Sequence, residues 1–144
     1  MSLVPDLESI RAAHKRIIPY VHHTPVLTNE SINRIVGTRL YFKCENFQKV
    51  GAFKFRGATN VIQSLSDEQA PKGVVTHSSG NHAAALALAA RVRGIEARIV
   101  MPANAPSIKR AAVEGYGAKI SLCEPTLAAR EASAEQIINE TGAI

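Results

Sequence analysis

The chain has no tryptophan, and phenylalanine and tyrosine bring its aromatic content to only 5% of 144 residues. Its net charge is +5 at pH 7, and its pI is near 9.5. The basic residues stand singly or in pairs, such as Lys15 with Arg16, rather than in a tract. Nucleic-acid-binding surfaces combine clustered basic residues with aromatic ones. The composition therefore argues against a nucleic-acid partner.

Cysteines and long apolar runs are also scarce. Cys44 and Cys123 lie far apart and fit neither a metal-binding spacing nor a disulfide framework, so we expect reduced thiols in a cytoplasmic protein. No run of about 18 apolar residues and no secretion signal are present, so we expect no membrane partner. His22 and His23 are adjacent and would point apart in an extended segment, so we expect no metal.

An apolar content of 46% and a charged content of 20% are typical of a globular protein. In the first half, apolar spacing predicts helices over 6–18, 31–36 and 55–65, and RLYFKC (39–44) predicts a strand. Ser66 and Gln69 have the spacing of a capping box. The first half is thus predicted to be mainly helical.

After Gly73 the pattern changes to strands and helices in alternation. GVVTH, ARIVM and AKISLC predict three strands, separated by helices over 81–93, 106–114 and 126–140. Gly94, with Gly115 or Gly117, marks helix ends. This order predicts an α/β fold, a parallel twisted sheet with flanking helices. Ligands of such sheets bind beyond the carboxyl ends of the strands.

The segment SSGNH (78–82) follows the first of these strands and begins an alanine-rich helix. Ser78 or Ser79 can cap that helix, and Gly80 permits a tight turn and close approach of a ligand. The free N–H groups of the first helical turn favour an anion. The segment therefore predicts an anion site, the alternative being an ordinary helix start with an incidental His82.

Lys54 lies between Phe53 and Phe55 in the segment GAFKFRGA. A free lysine amine has a pKa of about 10.4, and a nucleophilic amine needs a much lower one. We expect the two rings to remove water from the amine and so lower its pKa. A desolvated lysine together with an anion site provides the groups for imine chemistry on an amino acid, whereas an isolated lysine would be a solvated surface residue.

Three segments carry a resemblance to a known family: KCENFQKVGAFKFRGA, HSSGNHAAALALAA and MPANAPSIKRAAVEGYGA. In this order and spacing they resemble the fold-type II pyridoxal-phosphate enzymes, most closely the threonine/serine dehydratase and serine racemase branch, over essentially the whole chain. The resemblance implies a tryptophan-synthase-β-like fold, incomplete at its C-terminus. It also implies that residues 1–72 open the large cofactor-binding domain and that 73–144 form most of the small α/β domain.

The resemblance also implies roles for individual residues. Lys54 matches the catalytic lysine that bonds covalently to pyridoxal 5'-phosphate, Phe53 the residue packed on the cofactor ring, and Asn81 the amide that binds the ring hydroxyl. Ser79 matches a serine of the racemases where many threonine dehydratases have alanine, so it is the candidate for a second catalytic proton donor. The loop that binds the substrate carboxylate would consist of Ser78, Ser79, Gly80 and His82.

The implied reaction is conversion of L-serine or L-threonine to a 2-oxo acid and ammonia, with racemisation of serine as a further activity. The complete protein is expected to be a homo-oligomer, a dimer. Some relatives bind ATP, for which Lys49 and Lys109 are candidates, although both suit a solvated surface. The family's phosphate loop, its partner for the pyridine nitrogen and its divalent-cation site would lie beyond Ile144. The alternative is a non-catalytic module without tight cofactor binding.

Overall fold

The computed structural model describes residues 4–144. Its first half contains helices α1 (Leu7–Ile17), α2 (Glu30–Val36) and α3 (Lys54–Ser64), with short strands β1 (Val26–Leu27) and β2 (Phe42–Lys43) paired antiparallel. The predicted helices over 6–18, 31–36 and 55–65 are confirmed to within a residue or so. The predicted strand over 39–44 is shorter, because β1 offers it a partner only two residues long.

The second half is a three-stranded parallel sheet with flanking helices, as predicted. The strands have the spatial order β3-β4-β5, with Val74 opposite Ala97 and Arg98 opposite Lys119. In chain order the elements are β3 (Val74–His77), α4 (Asn81–Arg93), β4 (Ala97–Pro102), α5 (Ser107–Gly115), β5 (Lys119–Cys123) and α6 (Leu127–Thr141).

The main buried cluster joins the two halves of the chain. Phe55 and Ile62 of α3 pack with α4 and with Ile99 and Met101 of β4, and all four side chains are fully buried. Helix α4 contributes mostly small side chains to this cluster, which lets α3 approach it closely: Ala83, Ala85, Ala87, Ala89 and Ala90. This packing fixes α3, and with it the lysine segment, against the helix that begins at SSGNH.

Two features outside the core hold β3 in place. Ile144 pairs beside this strand, since its N–H donates to the Gly73 carbonyl at 3.1 Å and its carbonyl accepts from Val75 N–H at 2.9 Å. Gly73 has φ 73° and ψ −174°, a conformation almost restricted to glycine. A Cβ there would lie 2.8 Å from the Glu96 carbonyl oxygen, so this position excludes other residues. Within residues 4–144, no helix combines the length and apolar character needed to cross a bilayer.

Candidate active site

Lys54 is the first residue of α3 and follows a tightly bent segment. Val50 and Gly51 both have left-handed backbones, with φ 56° and 66°, and Val50 is the only residue other than glycine with positive φ in the described chain. A β-branched residue rarely adopts this conformation, and such strain often marks functional loops. The bend turns the chain so that Phe53 and Lys54 emerge at the start of the helix.

The two phenylalanines beside Lys54 have different environments. Phe55 is completely buried in the core, whereas Phe53 is 60% exposed and Lys54 is exposed as well. The Lys54 Nζ lies 5.3 Å from the centre of the Phe53 ring. The expectation that both rings remove water from the amine is therefore wrong, because successive helical residues point to different sides. Only Phe53 faces the lysine.

Phe53 and Lys54 line the larger of two neighbouring cavities, with a volume of about 440 Å³. His82 of α4 lines it as well, and most of the remaining wall is apolar: Gly57, Ala58, Val61, Val74, Val75, Leu86 and Ile144. This volume falls within the range of roughly 300–1,000 Å³ for small-molecule sites. The structure thus brings three predicted site residues together at one apolar cavity.

The SSGNH loop connects β3 to α4, as predicted, but its serines do not cap the helix. Gly80 is the N-cap of α4 and provides no side-chain cap. The Ser78 hydroxyl instead accepts a hydrogen bond from Gly80 N–H at 3.3 Å, and Ser79 makes no side-chain hydrogen bond in the described chain. The capping expectation is therefore wrong. The first N–H groups of α4 stay available to a ligand, and a Cβ at Gly80 would meet nothing within 4 Å.

Gly80 and Asn81 line a second cavity of about 220 Å³ rather than the first. Its other walls come from the bent lysine segment, from α4, and from α5 and its end: Val50, Ala84, Ile108, Lys109, Ala112 and Tyr116. Ser78 and Ser79 line neither of these two cavities. From the sequence we expected the loop residues to form one site. In the structure His82 lines the larger cavity, whereas Gly80 and Asn81 line the smaller one.

His82 lines the larger cavity together with Lys54. Burial is the main cause that lowers the pKa of His82, and repulsion from Lys54 and His77 lowers it further. His82 is therefore neutral at pH 7, and a neutral imidazole can donate one hydrogen bond and accept another. The His77 Nδ1 atom, at the end of β3, is buried without a hydrogen-bond partner in the described residues. Among residues 4–144, no acidic side chain lines either cavity.

Sequence reasoning missed a polar network behind Lys54. Arg56 forms two hydrogen bonds with Glu45, both of 2.8 Å. Glu45 also accepts from the Thr24 hydroxyl at 2.6 Å. These bonds, chiefly those from Arg56, lower the pKa of Glu45 to about 2. The signal in the sequence was an arginine placed in the first turn of a helix, where a positive charge is unfavourable without a partner.

The other polar candidates lie away from this cavity. His22 Nδ1 is 3.0 Å from the Phe47 carbonyl oxygen, and His23 is exposed. Among residues 4–144 no three histidine, cysteine, aspartate or glutamate side chains form a group that could hold a metal ion. Lys49 lies over the buried Phe55 ring at 5.6 Å, and Lys109 is exposed at the smaller cavity.

A pyridoxal phosphate group would fit part of this arrangement. Lys54 supplies an amine for its aldehyde, and Phe53 and the apolar wall supply surface for its ring. Among the described residues, Lys54 and His82 are the only ionisable side chains that line the larger cavity, and the Thr76 hydroxyl is a further polar group in its wall. The residues therefore fit the ring and the aldehyde, while a phosphate would need further donors.

Comparison with known proteins agrees with this chemistry. The family model described as "Pyridoxal-phosphate dependent enzyme" matches residues 17–144. A serine racemase of Arabidopsis thaliana is 58% identical over 96% of this chain and 42% of its own length. A beta-hydroxyaspartate dehydratase of Paracoccus denitrificans is 50% identical over 96% of this chain and 44% of its own length.

The structure of maize serine racemase superposes with a TM-score of 0.94 at 56% identity, covering 96% of this chain and 42% of that one. This agreement confirms the fold expected from the sequence. The chain spans about two fifths of the length of these relatives.

Proposed function

Because the chain belongs to the pyridoxal-phosphate-dependent enzyme family, we propose that it is the lysine-bearing part of an enzyme acting on small 3-hydroxy amino acids. The reaction is elimination from L-serine or L-threonine to give a 2-oxo acid and ammonia, with racemisation of serine as a second activity. The observation that carries the proposal is the Lys54 amine at an apolar cavity, next to Phe53 and the neutral His82.

Lys54 has two roles in this proposal. Its Nζ would hold pyridoxal phosphate covalently, and the same amine, when free, would take the proton from the substrate's α-carbon. Pyridoxal phosphate, when bound, draws electrons from the α-carbon and so makes its proton easier to remove. Phe53 would pack on the ring, and the Asn81 amide would bind the ring hydroxyl.

The substrate carboxylate would bind at the start of α4. The N–H groups of Asn81 and His82 and the Ser78 hydroxyl offer donors there, and Gly80 has no side chain that would obstruct a ligand. His82 can donate a hydrogen bond without adding a full positive charge beside Lys54, since its pKa is lowered. These groups would hold the α-carbon within reach of the Lys54 amine.

Ser79 determines which product forms in this proposal. Elimination needs one base, Lys54, on one face of the α-carbon, whereas racemisation needs a second group that returns a proton to the opposite face. The Ser79 hydroxyl makes no hydrogen bond in the described chain, so it is available to a substrate. The names of the relatives, a racemase and a dehydratase, are consistent with both outcomes.

A non-catalytic module is the second candidate. It is favoured by the separation of Lys54 and Asn81 into different cavities and by the small number of phosphate donors among the described side chains lining the larger one, namely Lys54, His82 and Thr76. Such a module would keep the fold but would bind the cofactor too weakly for turnover.

A chimera tests the two candidates. Residues 1–144 are joined to the part of the Arabidopsis thaliana relative that follows its matched region, and the product is incubated with pyridoxal phosphate and L-serine. We expect pyruvate and D-serine from this chimera and neither from its Lys54→Ala variant. A folded chimera that makes no product from serine or threonine would favour the non-catalytic module.

A further inference from the structure

The first turn of α3 has no cap of its own. Phe53 is the N-cap residue of this helix and has no side chain that can accept from the free N–H groups. The residues before it, Val50 and Gly51, are in left-handed conformations and cannot continue the helix backwards. Phe55 N–H donates to the Ala52 carbonyl at 3.3 Å and Arg56 N–H to the Phe53 carbonyl at 3.0 Å, so backbone bonds satisfy two of its N–H groups. A first turn without a side-chain cap still tends to fray. Lys54 is the first residue of that turn.

Arg56 ties this turn to the preceding loop. Its Nε donates to Glu45 Oε2 and its Nη2 to Glu45 Oε1, each at 2.8 Å. Paired hydrogen bonds between a guanidinium and a carboxylate fix the relative orientation of the two groups. Arg56 and Lys54 are two positions apart on a helix, so they point to different sides. The arginine can therefore hold the turn from behind without blocking the lysine.

Glu45 is itself held by contacts that do not involve Arg56. The Thr24 hydroxyl donates to Glu45 Oε1 at 2.6 Å, and Thr24 is almost completely buried. Lys43 Nζ donates to the Thr24 carbonyl at 2.6 Å. The side chains of Arg56 and Glu45 are 27% and 18% exposed. The carboxylate is thus a fixed and partly buried anchor rather than a mobile surface group.

Arg56 also contacts a third segment, since its Nη2 donates to the His22 carbonyl at 3.2 Å. Gln48 fixes that segment through His22, accepting from its N–H and donating to its carbonyl, both at 2.9 Å. One arginine side chain therefore connects the start of α3 to two loops that are already bound to each other.

We propose that Arg56 is a positioning residue for Lys54. Its bidentate pair with Glu45 anchors the first turn of α3, which has no side-chain cap, and so holds the Lys54 amine at the larger cavity beside His82. The role in the reaction rests on the proposed function, whereas the ordering of the turn does not.

The test uses the chimera described under the proposed function, with two readouts. Amide hydrogen exchange reports the order of residues 55–58. Trapping with pyridoxal phosphate and borohydride, followed by peptide mass spectrometry, reports the labelling of Lys54 relative to Lys49. For Arg56→Gln we expect at least tenfold faster exchange at 55–58, unchanged exchange at 99–101, and about tenfold less labelling of Lys54. Arg56→Lys should give exchange rates and Lys54 labelling between those of the unmodified protein and Arg56→Gln, because it keeps the charge but not the paired geometry.

Two further variants serve as controls. Arg98→Gln removes another arginine–glutamate pair, with Glu96 at 2.6 Å, which lies on the sheet, and should leave both readouts unchanged. The reversed pair Glu45→Arg with Arg56→Glu should restore Lys54 labelling to within about threefold of the unmodified chimera. Thermal denaturation checks that each variant is folded.

The outcomes separate this proposal from the proposed function. If the unmodified chimera is labelled on Lys54 and Arg56→Gln is labelled equally, the positioning role is overturned. Faster exchange spread evenly over the whole chain would also overturn it, since Arg56 would then contribute only general stability. If the unmodified chimera is not labelled on Lys54 at all, the proposed function fails, while the exchange at 55–58 still decides whether Arg56 orders the turn.

Discussion

At the scale of single residues, the side chains of the segment FKFRG (53–57) have different environments. Phe55 packs in the core, Lys54 faces the larger cavity, Phe53 lies beside the amine, and Arg56 binds Glu45. The sequence indicated the lysine but not the anchor, because Glu45 lies eleven positions away and no local pattern joins it to Arg56. Its partner could be found only once the chain was folded.

Ser79 offers a prediction that separates the two proposed activities. In the chimera, Ser79→Ala should reduce the rate of serine racemisation by a factor of about 10² or more. The rate of pyruvate formation should stay largely intact, since elimination needs only the base on one face. Chiral chromatography of serine and a pyruvate assay measure both. Ser31→Ala, on the exposed face of α2 and lining neither cavity of the site, is the control and should leave both activities unchanged. Equal loss of both activities in Ser79→Ala would mean that the hydroxyl binds substrate instead.

Glu45 gives a prediction about acid stability. Its pKa is near 2 in the folded chain and about 4.5 as a free side chain, so its pairing stabilises the fold above about pH 5. That contribution is lost as the pH falls from about 5 to 2. Glu45→Gln should therefore lower the free energy of unfolding by about 2 kcal/mol at pH 7 and by much less at pH 2.5. Denaturant titrations at both pH values provide the measurement, and a pH-independent difference would contradict the assignment.

At the scale of elements, the positions of helices and strands could be predicted from apolar periodicity. The hydrogen bonds at the ends of these elements could not. The strands and helices after Gly73 follow from apolar patterning and glycine stops, and the capping box at Ser66 and Gln69 is present with both hydrogen bonds, of 2.9 and 3.2 Å. The helix start at SSGNH was placed correctly, but its cap was not. Side-chain caps depend on loop torsions that composition does not specify.

The start of β3 allows a matched pair of glycine variants. Gly73→Ala should destabilise the fold by about 3 kcal/mol or more, because φ 73° with ψ −174° is unsuited to alanine and the new Cβ would meet the Glu96 carbonyl. Gly94→Ala, at φ 76° with free space around it, should cost only about 1 kcal/mol. Denaturant midpoints of the two variants measure the difference. Equal costs would show that the contact with Glu96 is unimportant.

At the scale of the whole molecule, the described chain leaves apolar side chains uncovered around the larger cavity. Phe53, Val61 and Ile144 are 60%, 51% and 42% exposed, and all three line it. Contiguous exposed apolar surface favours association. The sequence could predict the fold of this portion from local patterns, whereas its exposed surfaces depend on what packs against them.

The isolated chain should consequently bind pyridoxal phosphate weakly. Charge-assisted hydrogen bonds to the phosphate are worth roughly 1.5 to 3 kcal/mol each. Among the described side chains lining the larger cavity, only Lys54, His82 and Thr76 could donate them. We expect residues 1–144 alone to bind about 10³-fold more weakly than the chimera, to self-associate and to be inactive on serine. Absorbance titration and light scattering provide the comparison. Tight stoichiometric binding with turnover by residues 1–144 would contradict this expectation.

The central claim is that Lys54 is the lysine that holds the cofactor, and one measurement tests it most directly. The chimera is treated with pyridoxal phosphate and then borohydride, digested, and mapped by mass spectrometry beside its Lys54→Ala variant. The account predicts one phosphopyridoxyl group, on Lys54, and no label in the peptide spanning residues 43–58 of the variant. A label on Lys43 or Lys49 instead, or an undiminished label in Lys54→Ala, would contradict it.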